Sequence, residues 1–132
     1  MRKFTILWAD DDPDDLMMMR EILLKANRDY EIVEVHNGKE ALGYLERASH
    51  EQQLPCLVIL DINMPVMDGK ETLSVIKGRE DLSKIPVVVF TTSDSELDKM
   101  FCHRFGTELV TKPPHYSSLE TTVNRLLSFC NR

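Results

Sequence analysis

Four consecutive apolar residues, Leu57, Val58, Ile59 and Leu60, stop abruptly at an acid, Asp61. No other stretch constrains the fold as strongly. A short continuous apolar run bounded by turn-forming residues reads as a strand buried on both faces, the kind found inside a parallel sheet. Asp61 then sits at the carboxyl end of a central strand, where open α/β sheets place their ligands. Pro65 and Gly69 bracket a turn, and the residues after them have helical period. A carboxylate in that place can bind a metal, attack phosphorus, or do both. The bland alternative is an aspartate that only caps the following helix.

The remaining chain repeats this pattern. Residues 4–9 are a short strand-forming run that ends at Asp10, Asp11, Asp12, Pro13, Asp14 and Asp15. Pro13 suits a first helical turn, and Leu16, Met19, Leu23 and Ala26 follow with helical spacing. Asp12 is expected as the N-cap, with Asp14 and Asp15 complementing the helix dipole. Asp10 and Asp11 are left without a structural reason. Residues 31–35 alternate as a second strand, and Asn37–Gly38 form a turn. Ala41, Leu42 and Leu45 mark a helix, and 48–55 is a polar connector. The third strand, 56–60, carries Asp61. Leu73 and Ile76 give the next helix its buried stripe.

A fourth buried strand, 86–90, stops at Thr91. Leu97, Met100, Phe101 and Phe105 suggest a helix closing before Gly106. A brief fifth strand, 108–111, ends at Lys112, Pro113 and Pro114. Leu119, Val123, Leu126, Leu127 and Cys130 make a last amphipathic helix. Strands and helices that alternate in this way predict an α/β fold, a parallel sheet with right-handed crossovers and helices on both faces.

In a parallel sheet all strand carboxyl ends share one rim. That rim would hold Asp10 and Asp11, Asp61, Thr91 and Lys112 together. Crowded carboxylates call for a divalent cation, and an all-oxygen set of few ligands suits Mg²⁺. A lysine and a hydroxyl beside them are the groups needed to hold an anion. Carboxylate, metal, ammonium and hydroxyl together make a phosphoryl-transfer site, in which positioning and charge neutralisation carry most of the catalysis.

Composition narrows the function further. The 132 residues suffice for one domain with a sizeable core. Sixteen basic against twenty-two acidic residues give a net charge of −6, which disfavours direct DNA binding. No apolar run has the length of a membrane span, and the amino end meets acids too early for a signal peptide. Cys56, Cys102 and Cys130 are odd in number and widely spaced, so reduced thiols in a cytoplasmic protein are expected. His36, His50, His103 and His115 have no ligand spacing and are expected at the surface.

Four segments, 6–13, 60–69, 86–91 and Lys112–Pro113, resemble the response regulator receiver domain, in its stand-alone single-domain, CheY-like form. The resemblance covers almost the whole chain, from Ile6 to about Leu127. It implies a doubly wound, flavodoxin-like five-stranded sheet in the order 2-1-3-4-5 with five helices, and a single receiver domain over 1–132 without an output domain. It also implies that Asp61 accepts a phosphoryl group from a histidine kinase or histidine phosphotransfer protein. Asp10, Asp11, Asp61 and the backbone carbonyl of Asn63 would hold Mg²⁺, Asp10 largely through water. Thr91 and Lys112 would contact the phosphoryl oxygens, and the Lys112–Pro113 peptide would be cis.

Signalling would pass by non-covalent contact to an unknown downstream protein or to a second copy, through the face of helix 4, strand 5 and helix 5. Such a protein is not a metabolic enzyme; its only chemistry is its own phosphorylation and dephosphorylation. The chain departs from the family at Leu109, where an aromatic switch residue is usual, and at Thr92, where a small residue is usual.

Three other readings compete. An aspartate-nucleophile phosphatase needs a second acid two residues after the nucleophile, and Asn63 cannot serve. A calcium-binding EF-hand loop starting at Asp10 would place Asp15 where glycine is required. A degenerate receiver acting as a binding scaffold normally lacks the acids, the threonine or the lysine, and all are present here.

Overall fold

The computed structural model describes residues 4–26 and 29–130. The amino end before Phe4, Asn131 (expected on the face of the last helix) and the side chain of Ala26 lie outside the described residues. The chain alternates β1 (Phe4–Ala9), α1 (Pro13–Ala26), β2 (Tyr30–Val35), α2 (Gly38–His50), β3 (Leu57–Leu60), α3 (Gly69–Gly78), β4 (Val87–Thr91), α4 (Glu96–Arg104), β5 (Glu108–Thr111) and α5 (Tyr116–Leu127). All strand pairs are parallel, in the order β2-β1-β3-β4-β5.

Side-chain alternation along the strands divides the core. Ile6, Trp8, Ile59, Val88 and Phe90 face α1 and α5, where Leu16, Met19, Leu23, Val123 and Leu126 close the layer. Leu7, Ala9, Val58, Leu60 and Val89 face the other way, against Ala41 and Leu45 of α2, Leu73 and Ile76 of α3, and Cys102 of α4. A strand buried on both faces must be apolar at every position, which is why β3 reads as an unbroken run.

Several local signals act as the sequence implies. Asp12 caps α1, its carboxylate accepting the backbone N–H groups of Asp14 and Asp15 at 3.0 and 3.3 Å. Asn37, Asp68 and Ser95 cap α2, α3 and α4 in the same manner. Helix α2 takes in the first part of the expected connector, because Ala48 is buried and extends its apolar stripe.

The helix expected before Gly106 is present as α4, while two other expectations, the reduced cysteines and the cis peptide, are overturned. Leu97 and Met100 of α4 are 74% and 59% exposed, whereas Cys102 is buried and Phe101 and Phe105 pack against the core. Only part of the apolar set that marks this helix therefore faces the core. Cys56 and Cys130 are joined in a disulfide, their Cα atoms 5.0 Å apart, and only Cys102 is a free cysteine among the described residues. The sheet brings the start of β3 beside the end of α5, a proximity that 74 residues of separation conceal. Finally, no peptide bond among the described residues is cis, so Lys112–Pro113 is trans, the ordinary state even before proline.

Candidate functional site at the carboxyl rim of the sheet

Four of the five strands, β1, β3, β4 and β5, bring chemical groups to the same rim. Beyond Ala9, the Asp10 N–H donates to Val35 O at 3.0 Å, which continues the β1–β2 ladder. The Asp61 N–H donates to Ala9 O at 2.9 Å, so the acids after β1 and β3 are held side by side. Thr91 is the last residue of β4 and wholly buried. The Lys112 N–H donates to Thr91 O at 2.6 Å, which fixes the lysine directly after β5.

The Lys112 ammonium gathers the acids. Nζ donates to Asp10 Oδ2 at 2.6 Å, Asp15 Oδ2 at 2.9 Å and Asp61 Oδ2 at 3.1 Å. An ammonium has three donors, and all are used. The inward aim of the lysine comes from these carboxylates and the β5 pairing, without the cis peptide expected for it. The remaining oxygens of Asp10 and Asp61 are also engaged. Asp10 Oδ1 accepts the Asp12 N–H at 3.0 Å, and Asp61 Oδ1 accepts the Ile62 N–H at 2.7 Å.

Burial and charge oppose each other here. Burial pushes the Asp10 carboxyl up to about 6, more strongly than Lys112 and the Asp12 N–H pull it down. Burial also works against the Lys112 ammonium. Its hydrogen bonds to Asp10 and Asp15 and the charge of Asp61 outweigh that effect and hold it above the ordinary lysine range.

Asp10, Asp11 and Asp61 each present a carboxylate oxygen, and the three oxygens lie within 4.8 Å of one another. Asp11 is exposed while Asp10 and Asp61 are buried. A compact, all-oxygen, anionic donor set fits a hard divalent cation such as Mg²⁺ or Mn²⁺. Asn63 is exposed two residues beyond Asp61.

The loop that carries Asn63 is clamped by glycines. The Gly69 N–H donates to Ile62 O, and the Gly38 N–H to Met67 O, at 2.8 and 2.9 Å. A Cβ on Gly69 would lie 2.1 Å from Asp61 O, and one on Gly38 would lie 1.9 Å from Thr72 Oγ1.

Thr91 Oγ1 accepts the Ser93 N–H at 3.3 Å, and Ser93 Oγ donates to Asp98 Oδ2 at 2.5 Å. Lys70 of α3 pairs with Asp98 at 2.5 Å and, with Ser93, holds its carboxyl below the usual carboxylate range. This chain of contacts joins the rim of β4 to α4 and α3. Leu109, paired with Val89 across the sheet, is half-buried, and Thr92 is exposed. All four histidines are exposed.

Asp10, Asp11, Asp61, Thr91 and Lys112 therefore meet at one rim. Asp15, read from the sequence as a dipole partner only, joins them. The available signal was its place at the third helical residue, whose side chain points back towards the helix N-terminus.

The profile of the response regulator receiver domain matches residues 6–124. Response regulator Rcp1 of Synechocystis sp. is 37% identical over 95 residues, which are 70% of this chain and 65% of that protein, a little under two thirds of its length. The crystal structure of the phosphorylated cyanobacterial phytochrome response regulator RcpA is similar with a TM-score of 0.88 and 32% identity. That likeness covers 96% of this chain and 93% of RcpA. The Mn²⁺-bound form of Rcp1 is similar with a TM-score of 0.85 and 33% identity, over 96% and 93% of the two chains. A family match across 6–124, on a fold with the same course nearly from end to end, leaves a single assignment: this chain belongs to the response regulator receiver domains of two-component signalling.

Proposed function

We propose that the chain is a phosphoacceptor response regulator, with Asp61 as the acceptor. The observation that carries this reading is the Asp61 carboxylate at the mouth of β3, bonded to Lys112 and within ligand distance of Asp10 and Asp11. One Asp61 oxygen attacks the phosphorus of a phosphohistidine on a kinase or phosphotransfer protein. The P–O bond forms as the P–N bond breaks, and the electron pair and a proton end on the departing imidazole. The product is an aspartyl phosphate on Asp61.

Asp10, Asp11, Asp61 and the Asn63 carbonyl would hold Mg²⁺. When bound, the cation supplies charge neutralisation for the phosphoryl oxygens. Lys112 orients those oxygens and offsets their charge. Thr91 offers its hydroxyl once it turns from the Ser93 N–H. Mn²⁺ in Rcp1 and phosphorylation of RcpA, as those structures are described, support the same arrangement here. RcpA serves a phytochrome, so a phytochrome-type histidine kinase is a reasonable first donor to try.

The chain acts as a signalling module and not as a metabolic enzyme. We place it in the cytoplasm, where kinases load phosphohistidine from ATP; no described helix is long and apolar enough to cross a membrane. Output runs through contact of α4, β5 and α5 with a target or a second copy. Leu109 has no hydroxyl to exchange, so it responds by packing into space that Thr91 vacates.

The test is incubation with acetyl phosphate and Mg²⁺ followed by intact-mass measurement. Wild type gains one phosphoryl group and Asp61→Asn gains none. Equal labelling of the variant would refute the assignment.

A further inference from the structure

Lys112 has more carboxylate partners than a phosphoryl-anchoring lysine needs. Two of them, Asp10 and Asp61, belong to the set that fits a divalent cation; the third, Asp15, does not. An ammonium donating to the same carboxylates as a dication competes with it for those charges. Filling the site therefore requires Lys112 to loosen its hold on Asp10 and Asp61. It cannot leave the rim, because its side chain is only 8% exposed and an unpaired buried ammonium is unfavourable.

Asp15 resolves this conflict. It stands on α1 beside the site, its side chain is 24% exposed, and its Oδ2 already lies 2.9 Å from Nζ. Asp15 and Lys112 also line one cavity of about 330 Å³, with Met18 and Pro113 among its walls. Open space therefore adjoins the Asp15–Lys112 pair on the α1 side.

We propose that Asp15 is a positioning residue that retains the Lys112 ammonium on the α1 side of the rim, so that Asp10 and Asp61 are released to a divalent cation. The inference deepens the phosphoacceptor reading and rests on its metal site. Nothing passes through Asp15 in the chemical step; it acts through the lysine.

The experiment is a double-mutant cycle on the full chain, read as Mg²⁺ binding by Trp8 fluorescence with no phosphoryl donor present. The variants are Asp15→Asn, Lys112→Met, the pair together, and Asp15→Glu as the conservative rescue. Circular dichroism confirms that each is folded. Asp15→Asn weakens Mg²⁺ binding by a factor of roughly three to ten, within the range of coupling between charged residues in contact. In the Lys112→Met background the same change alters binding by less than about twofold, and Asp15→Glu restores most of the affinity.

Equal factors in the two backgrounds would overturn the proposal, since Asp15 would then act only as one more negative charge. An unchanged affinity in Asp15→Asn would overturn it as well. Acetyl phosphate labelling, run in parallel, separates the two readings. Labelled wild type with no coupling in the cycle refutes the role of Asp15 alone. Coupling without label at Asp61 refutes the acceptor and leaves Asp15 standing.

Discussion

Gly69 is the position where a single methyl group should do most to the site while touching none of its charged groups. Its Cβ would lie 2.1 Å from Asp61 O, 2.8 Å from Ile62 Cα and 2.9 Å from Asp61 C. All three are backbone atoms, so no side chain can rotate aside. Relieving the contact means parting α3 from the end of β3 by about 1 Å, an overpacking strain of about 1–3 kcal/mol. The Gly69 N–H to Ile62 O bond of 2.8 Å lengthens with it, at a cost of about 1 kcal/mol. Gly69→Ala is therefore expected to lose roughly 2–4 kcal/mol in urea unfolding.

The same shift moves the Asp61 carboxylate relative to Lys112 and the other acids. Misplacement of reacting groups by about 1 Å slows reactions by about 100-fold, and the acetyl phosphate labelling rate should fall towards that limit. Gly43→Ala is the control. Its Cβ meets only Arg47 Nη1, at 3.8 Å, inside α2. It should gain about 0.5–1 kcal/mol from helix propensity and label normally. A Gly69→Ala protein within about 0.5 kcal/mol of wild type in stability, labelling at the wild-type rate, would refute the reasoning.

Two further outcomes follow from the buried groups. The Asp10 carboxyl is raised from 3.8 to about 6, so the folded state binds its proton more tightly than the unfolded chain does. Its contribution is fully present below pH 3.8 and is lost as pH rises through about 6, a change of about 3 kcal/mol at most. In metal-free buffer, Asp10→Asn should therefore gain on wild type across that interval when unfolding is followed by denaturant at each pH, and a flat difference would contradict the shift. The Cys56–Cys130 disulfide closes a loop across 74 residues of separation; reduction, or Cys56→Ser with Cys130→Ser, should lower stability by about 2–4 kcal/mol. Thiol titration of the unfolded, unreduced protein should find only Cys102, and three reactive thiols would refute the pairing.

The fold was legible because each strand announces itself by what ends it. The runs before Asp61 and Thr91 are apolar and buried on both faces, the last four residues of β1 before Asp10 are buried as well, and the observed β1 and β5 have the expected bounds. The rim chemistry was legible for the same reason, since a parallel sheet must gather those ends. What was hidden depends on tertiary placement. Leu97 and Met100 have helical spacing, but which side of a short helix is buried depends on where α4 docks. The spacing of Cys56 and Cys130 carries no information about the wrap of α5 across the foot of β3. Asp15 looked sufficient as a dipole partner, and only the lysine arriving from β5 gives it a second role.

The site of phosphoryl attachment is the decisive observation. Protein treated with acetyl phosphate and Mg²⁺ should be reduced with borohydride, which converts an acyl phosphate to an alcohol and so an aspartyl phosphate to homoserine. Peptide mass spectrometry should then find homoserine at position 61 alone, and none when Mg²⁺ is withheld. Homoserine at Asp10, Asp11 or Asp15, or at no position in protein that has bound Mg²⁺, would contradict the central claim.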